Sequence, residues 1–134
     1  VFLNKDYKPD FKNPTLSIDA YEDLIEIDKH LTIQGQICVY AKTVITVPSD
    51  IKVWAIIGNN DSFILSLNGK EIIRKDEIRL WTPYNNFTEL SFKKGENEIV
   101  IKLLRQTENL KFALGFRIHD GNHWHKSKWH TDLF

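Results

Sequence analysis

The sequence contains no methionine, a single cysteine (Cys38), four prolines and six glycines in 134 residues. One cysteine allows no intrachain disulfide, and it leaves the redox compartment open. The lack of any methionine, initiator included, points to a segment cut from a longer polypeptide, although a processed terminus would look the same. No stretch approaches the roughly 20 consecutive apolar residues of a membrane-spanning helix, and Val1 to Asp10 lacks the apolar core of a signal peptide. A soluble domain with no membrane partner is therefore expected. An excess of charge of either sign is missing too: 18 basic and 18 acidic side chains give a formal net charge of zero. Domains that hold nucleic acid by neutralising phosphates carry a marked basic excess, so no nucleic-acid partner is expected. The charge is only weakly polarised, with 6 basic and 9 acidic groups in residues 1–67 against 12 and 9 in residues 68–134.

What is present is an ordinary globular composition, 42% hydrophobic and 27% charged. A chain of this length buries roughly two thirds of its unfolded surface, so it can fold without a disulfide or a structural metal. Residues 1–17 mix Lys, Asp, Asn, Pro and isolated aromatics without period and read as an extended lead-in or linker, leaving 18–134 as a single domain. From Ile37 the apolar period is two: Ile37, Val39, Ala41, Ile45 and Val47 share one face of a strand. Pro48-Ser49-Asp50 breaks that run, and a second strand is expected over Ile51 to Ile57. Gly58-Asn59-Asn60-Asp61 reads as a turn cluster, followed by the alternation of Phe63, Leu65 and Leu67.

Asn68-Gly69 suits a type I′ turn, with Lys70 to Arg74 as the return strand of a hairpin. Residues 75–86 show no period and contain a proline, so a loop or irregular edge is expected there. Strands follow at Phe87 to Phe92, Glu98 to Leu104 and Lys111 to Ile118, the last with Phe112, Leu114, Phe116 and Ile118 facing inward. Only Ala20 to Lys29 could pass for a helix, and it fits strand or loop equally well. At least seven short strands and no convincing helix predict an all-β antiparallel sandwich or barrel.

Two stretches are less generic. Asp61 to Ile72, with Asn68-Gly69-Lys70 at its turn, resembles the hairpin of the galactose-binding-like jelly-roll modules attached to many glycoside hydrolases. Phe92-Lys93-Lys94-Gly95-Glu96-Asn97-Glu98-Ile99 is similar to a second run of that family, and Tyr40 to Pro48 fits the strand that precedes the hairpin. The resemblance spans residues 35–118 and implies a jelly-roll β-sandwich that binds carbohydrate or packs against a catalytic domain of the parent chain. Its binding loops vary, so it carries over no binding residue. In physical terms these residues specify turns: Gly95 can take a positive φ, and Asn97 can bond its side chain to nearby backbone.

Two segments could carry binding chemistry. Arg79, Trp81, Tyr84 and Asn85 lie in the aperiodic stretch; aromatic rings suit the C–H faces of a sugar, and the guanidinium and amide suit its hydroxyls. The alternative is that Trp81 and Tyr84 cover the open end of the sandwich. The tail from His119 to His130 holds four of the five histidines and two of the four tryptophans. There Trp124 or Trp129 could stack on a pyranose while Asp120 and Asn122 bond its hydroxyls. His123 and His125, two apart, could chelate a transition metal with His119, Asp120 or His130, but the spacing matches no established zinc motif. No metal or other cofactor is assigned. Asn59, Asn60 and Asp61 could supply oxygens to Ca²⁺, although a plain turn is the simpler account.

Two N-x-S/T triplets, Asn60-Asp61-Ser62 and Asn86-Phe87-Thr88, matter only in a glycosylating secretory pathway. Cys38 reads as a small packing residue, and Arg105 and Arg117 as partners of surface acids. No nucleophile elbow, phosphate loop or pair of carboxylates poised for glycoside cleavage is recognisable, so a non-catalytic module is expected. If either aromatic segment holds a sugar, Trp81→Ala or Trp124→Ala will lower affinity by roughly 1–3 kcal/mol at unchanged melting temperature. An equal fall in melting temperature would instead mark the ring as core.

Overall fold

The two-residue period becomes strand after strand in a computed structural model of the chain, which describes residues 9, 12, 24–29, 34–106 and 110–118. The strands are β1 (Leu24–Glu26), β2 (Ile37–Val47), β3 (Ile51–Asn59), β4 (Phe63–Leu67), β5 (Lys70–Lys75), β6 (Thr82–Phe92), β7 (Gly95–Arg105) and β8 (Lys111–Ile118). They form two four-stranded antiparallel sheets, ordered β1-β8-β3-β6 and β2-β7-β4-β5. The molecule is a β-sandwich, with no α-helix among the described residues.

Each sheet turns its apolar parity inward. Val53, Ala55 and Ile57 of β3 meet Phe63 and Leu65 of β4 and Ile99, Ile101 and Leu103 of β7 in one continuous core. Phe63 and Phe112 pack edge to face across the two sheets, centroids 5.3 Å apart, and Phe92 and Phe116, on β6 and β8 of one sheet, pack edge to face at 5.8 Å. A fully buried ring of this kind contributes roughly 1.5–3 kcal/mol. Phe112 is buried, and Leu114 and Phe116 pack against the core, as the alternation in β8 requires.

The ambiguous segment at 20–29 contains β1, paired with β8, and then a 3-10 turn over Ile27–Lys29. The stretch expected as loop or irregular edge is both: 76–81 lies outside any strand, and the irregular start of edge strand β6 takes in Thr82 to Asn86. The cluster at 58–61 is not a simple turn, because Gly58 and Asn59 complete β3 and Asn59, Asn60 and Asp61 are buried. Cys38 is not a packing residue. Its strand parity points it away from the core, where it is exposed beside Tyr40.

One end of the sandwich is closed by asparagines. Asn68 (φ 50°) and Gly69 (φ 83°) make the tight β4–β5 turn with the two positive φ values that a type I′ turn needs. Asn68 donates its backbone N–H to the Glu98 carbonyl and accepts the Glu98 N–H on Oδ1, both at 2.8 Å. Asn97 is fully buried. Its Oδ1 accepts from Lys93 N–H and Asn68 Nδ2, each at 3.0 Å, while its Nδ2 donates to the Lys93 and Gly95 carbonyls at 2.8 and 3.1 Å. Lys94 N–H donates to Asp50 Oδ1 at 2.8 Å, tying the β2–β3 corner to the β6–β7 corner. Asn97→Ala removes the partners of several part-buried backbone groups at once and is expected to cost about 3 kcal/mol. The check is a lower urea midpoint at unchanged m-value.

Candidate functional site

The opposite end gathers the chain between β3 and β4, the 76–81 crossover and the residues that follow β7. Polar side chains converge here because strands leaving one sheet for the other expose backbone groups that no ladder can satisfy. Asp61 is buried. Its carboxylate accepts the N–H of Ser62 at 2.8 Å, the N–H of Gln106 at 2.6 Å and Nε2 of Gln106 at 2.8 Å. The Ser62 hydroxyl donates to Asp76 Oδ1 at 3.0 Å and accepts from Gln106 Nε2 at 3.0 Å. Asn60 Oδ1 accepts the Lys111 N–H, and the Asn60 carbonyl accepts the Arg79 N–H, both at 2.9 Å. The oxygens weighed as Ca²⁺ ligands thus serve N–H donors. Among the described residues no group of three His, Cys, Asp or Glu could hold a metal.

Asn59 ties this node to the edge strand. Its Oδ1 accepts from Asn85 Nδ2 at 3.0 Å and Asn86 Nδ2 at 2.9 Å, and its backbone N–H donates to Asn85 Oδ1 at 3.2 Å. Between Ile57↔Asn86 and Asn59↔Thr82 the β3–β6 register shifts, so Gly58 alone faces Pro83, Tyr84 and Asn85. A bulge of this kind bends the strand and re-aims its side chains. Tyr84 sits at its apex with φ 62°, an uncommon conformation for a bulky residue, and is 46% exposed. A Cβ on Gly58 would lie 2.9 Å from the Thr82 carbonyl oxygen and 3.0 Å from both Pro83 Cα and Trp81 Cη2. The Trp81 ring therefore rests on Gly58.

The four residues proposed for this stretch divide by role. Tyr84 is presented to solvent. Arg79 is at the surface, its Nη1 3.5 Å from Glu77 Oε1, an exposed ion pair of little energetic weight. Trp81 is half-buried and covers the end of the sandwich. Asn85 positions the bulge, since both ends of its amide are used by Asn59. Asp120, Asn122, Trp124 and Trp129, and the histidines at 119, 123, 125 and 130, lie outside the described residues. Exposed apolar side chains that the sequence did not single out flank the bulge: Ile78, Leu80 and Phe87, with Leu80 89% exposed. The signal of Ile78 and Leu80 was present as apolar residues in a stretch without period, whereas Phe87 read as the start of a strand.

Arg105 partners an acid as expected, but it is buried at the end of β7 rather than at the surface, with Nη1 2.7 Å from Asp28 Oδ1 and Nε donating to the Gly35 carbonyl at 2.9 Å. The other Asp28 oxygen accepts the Leu110 N–H at 2.6 Å, so this pair joins the turn after β1 to the β7–β8 connection. At Cys38, desolvation pushes the thiol up from its ordinary range, against the smaller opposing pull of the Lys102 charge and a hydrogen bond with Tyr40. The neutral thiol is thereby favoured.

No family model matches the chain, and no curated protein sequence is similar to it. Among solved structures it is similar to the PA14 domain of the MpAFP antifreeze protein, with a TM-score of 0.56 and 9% identity over 71% of this chain and 47% of that one. It is also similar to part of a β-glucosidase from Kluyveromyces marxianus, at a TM-score of 0.49 and 15% identity over 59% of this chain and 10% of that one. The chain thus spans less than half of the antifreeze chain and a tenth of the glucosidase. At 9% identity the first likeness is one of fold, and the second is too loose to bear on function.

Gly58→Ala must displace Trp81 or the bulge backbone and is expected to cost about 1–3 kcal/mol while shifting tryptophan emission. Asp28→Ala leaves Arg105 buried without its acid, at about 3 kcal/mol by thermal or urea melts. Cys38 should alkylate slowly at neutral pH and faster as pH rises. Because its folded pKa is raised, its share of stability is fully present below the unfolded thiol's pKa and is lost as pH climbs through the folded one.

Proposed function

We propose that this domain is a non-catalytic accessory module of a larger glycan-processing protein, of the galactose-binding-like jelly-roll kind, and that it binds carbohydrate weakly at the β6 bulge. The observation that carries the reading is the bulge itself. Asn59 and Asn85 hold the bulge from Pro83 to Asn85 so that Tyr84 keeps a positive φ and presents its ring to solvent. An exposed ring there suits the C–H face of a pyranose, and Arg79 on the adjoining loop can donate to its hydroxyls. The neighbouring acids serve the fold as acceptors, Asp61 for backbone and amide donors and Asp76 for the Ser62 hydroxyl. The β-sandwich architecture shared with a PA14 domain is compatible with this role.

A second reading has its own support. Ile78, Leu80 and Phe87 expose more apolar surface than a sugar platform needs, which favours docking against a partner domain of the parent chain. Titration with a panel of mono- and oligosaccharides, with Ca²⁺, Zn²⁺ and chelator alongside, separates the two by thermal shift and tryptophan fluorescence. A saturable shift with one sugar class is expected, and Tyr84→Ala should weaken it by roughly 1–3 kcal/mol at unchanged melting temperature. No shift up to millimolar sugar would leave the docking reading in place of the carbohydrate one.

A further inference from the structure

The two N-x-S/T triplets have no part in the proposed function, yet the fold constrains them both. Asn86 follows the inward parity of Leu90 and Phe92 on β6 and is only 8% exposed; its Nδ2, the atom to which a glycan would be joined, donates to Asn59 Oδ1 at 2.9 Å inside the end of the sandwich. Asn60 is 7% exposed and wedged between two other segments, its Oδ1 on the Lys111 N–H and its carbonyl on the Arg79 N–H. N-glycosylation replaces one Nδ2–H by a bond to the sugar C1 carbon, with cleavage of the glycosyl–phosphate bond of a lipid-linked donor and release of the amide proton. A bulky, hydrated glycan joined there needs a surface position. Neither amide has one, and moving either outward would remove one of the two donors to Asn59 Oδ1 or the acceptor of the Lys111 N–H.

We infer that both triplets are cryptic: in the folded protein neither Asn60 nor Asn86 carries a glycan, and a chain glycosylated at either position before folding does not reach this fold. The inference is independent of whether the domain binds sugar. Acceptor sequence and acceptor geometry are separable here, because Thr88→Ala removes the second triplet while leaving Asn86 and its hydrogen bond in place. Glu89→Asn provides the converse, making an acceptor triplet with Leu90 and Ser91 at a position that is exposed on the outer face of β6.

The test is secretion of the chain from a glycosylating eukaryotic cell behind an added signal sequence. The secreted, folded fraction and the retained fraction are then compared by intact mass before and after glycosidase treatment. The secreted wild-type chain is expected to have the bare polypeptide mass, with any glycosylated chain confined to the retained fraction and reduced by Thr88→Ala. The Glu89→Asn chain is expected to be secreted with one added glycan, removed by the glycosidase. A secreted wild-type chain with native circular dichroism and a glycan mapped to Asn60 or Asn86 would overturn the inference.

Discussion

Strands that cross between two sheets leave N–H and C=O groups at the sandwich ends with no ladder to pair them, and carboxamide side chains satisfy those groups in this protein. A carboxamide offers two donors and two acceptor lone pairs in one plane, so a single buried residue can bind several backbone segments at once. Asn97 does this where β6 hands over to β7, and Asn59 does it where β3 leaves its sheet. Around the second of these, the Asp61 carboxylate adds acceptors for the donors that follow β7. The apolar core lies between two polar clasps, and its packing presupposes that both are closed.

The candidate site is a by-product of the second clasp. Asn59 meets both Asn85 and Asn86 because β6 bulges there, with Pro83 to Asn85 standing opposite the single residue Gly58. Gly58 permits this because any side chain would meet the Thr82 carbonyl and the Trp81 ring. The positive φ at Tyr84 is sustained by the hydrogen bonds that Asn85 and Asn86, directly after it, make with Asn59. The same edge strand carries the exposed Phe87, and Leu80 is exposed in the segment that leads into it.

Much of the architecture was legible in the chain. Alternation marked the inward faces of β2, β4 and β8, and Asn68-Gly69 marked a hairpin whose two positive φ values only a few residue types accept. The role of Asn97 was legible too, since an asparagine two residues after a turn glycine is within reach of its own backbone. The node at Asn59 was not. Its partners lie 26 and 27 residues away in Asn85 and Asn86, and an Asn-Asn-Asp run after a strand looks the same whether it turns in solvent or is buried. Trp81 illustrates the same limit: nothing local in the sequence shows that its ring packs on Gly58, 23 residues earlier.

By itself the sequence determined the secondary structure class, the inward parity of most strands and the chemistry of the β4–β5 and β6–β7 turns. These depend on residues a few positions apart, whose backbone preferences act locally. Which strands pair was decided by tertiary structure: among the described strands only β4 and β5 are both consecutive and paired, while β2 meets β7 and β3 lies between β6 and β8. Tertiary structure also decided that Arg105 pairs with Asp28 across 77 residues and that both glycan-acceptor asparagines, Asn60 and Asn86, are buried. Each of these depends on which distant segments share an end of the sandwich, because burial and hydrogen bonding are properties of the assembled ends and not of any one strand.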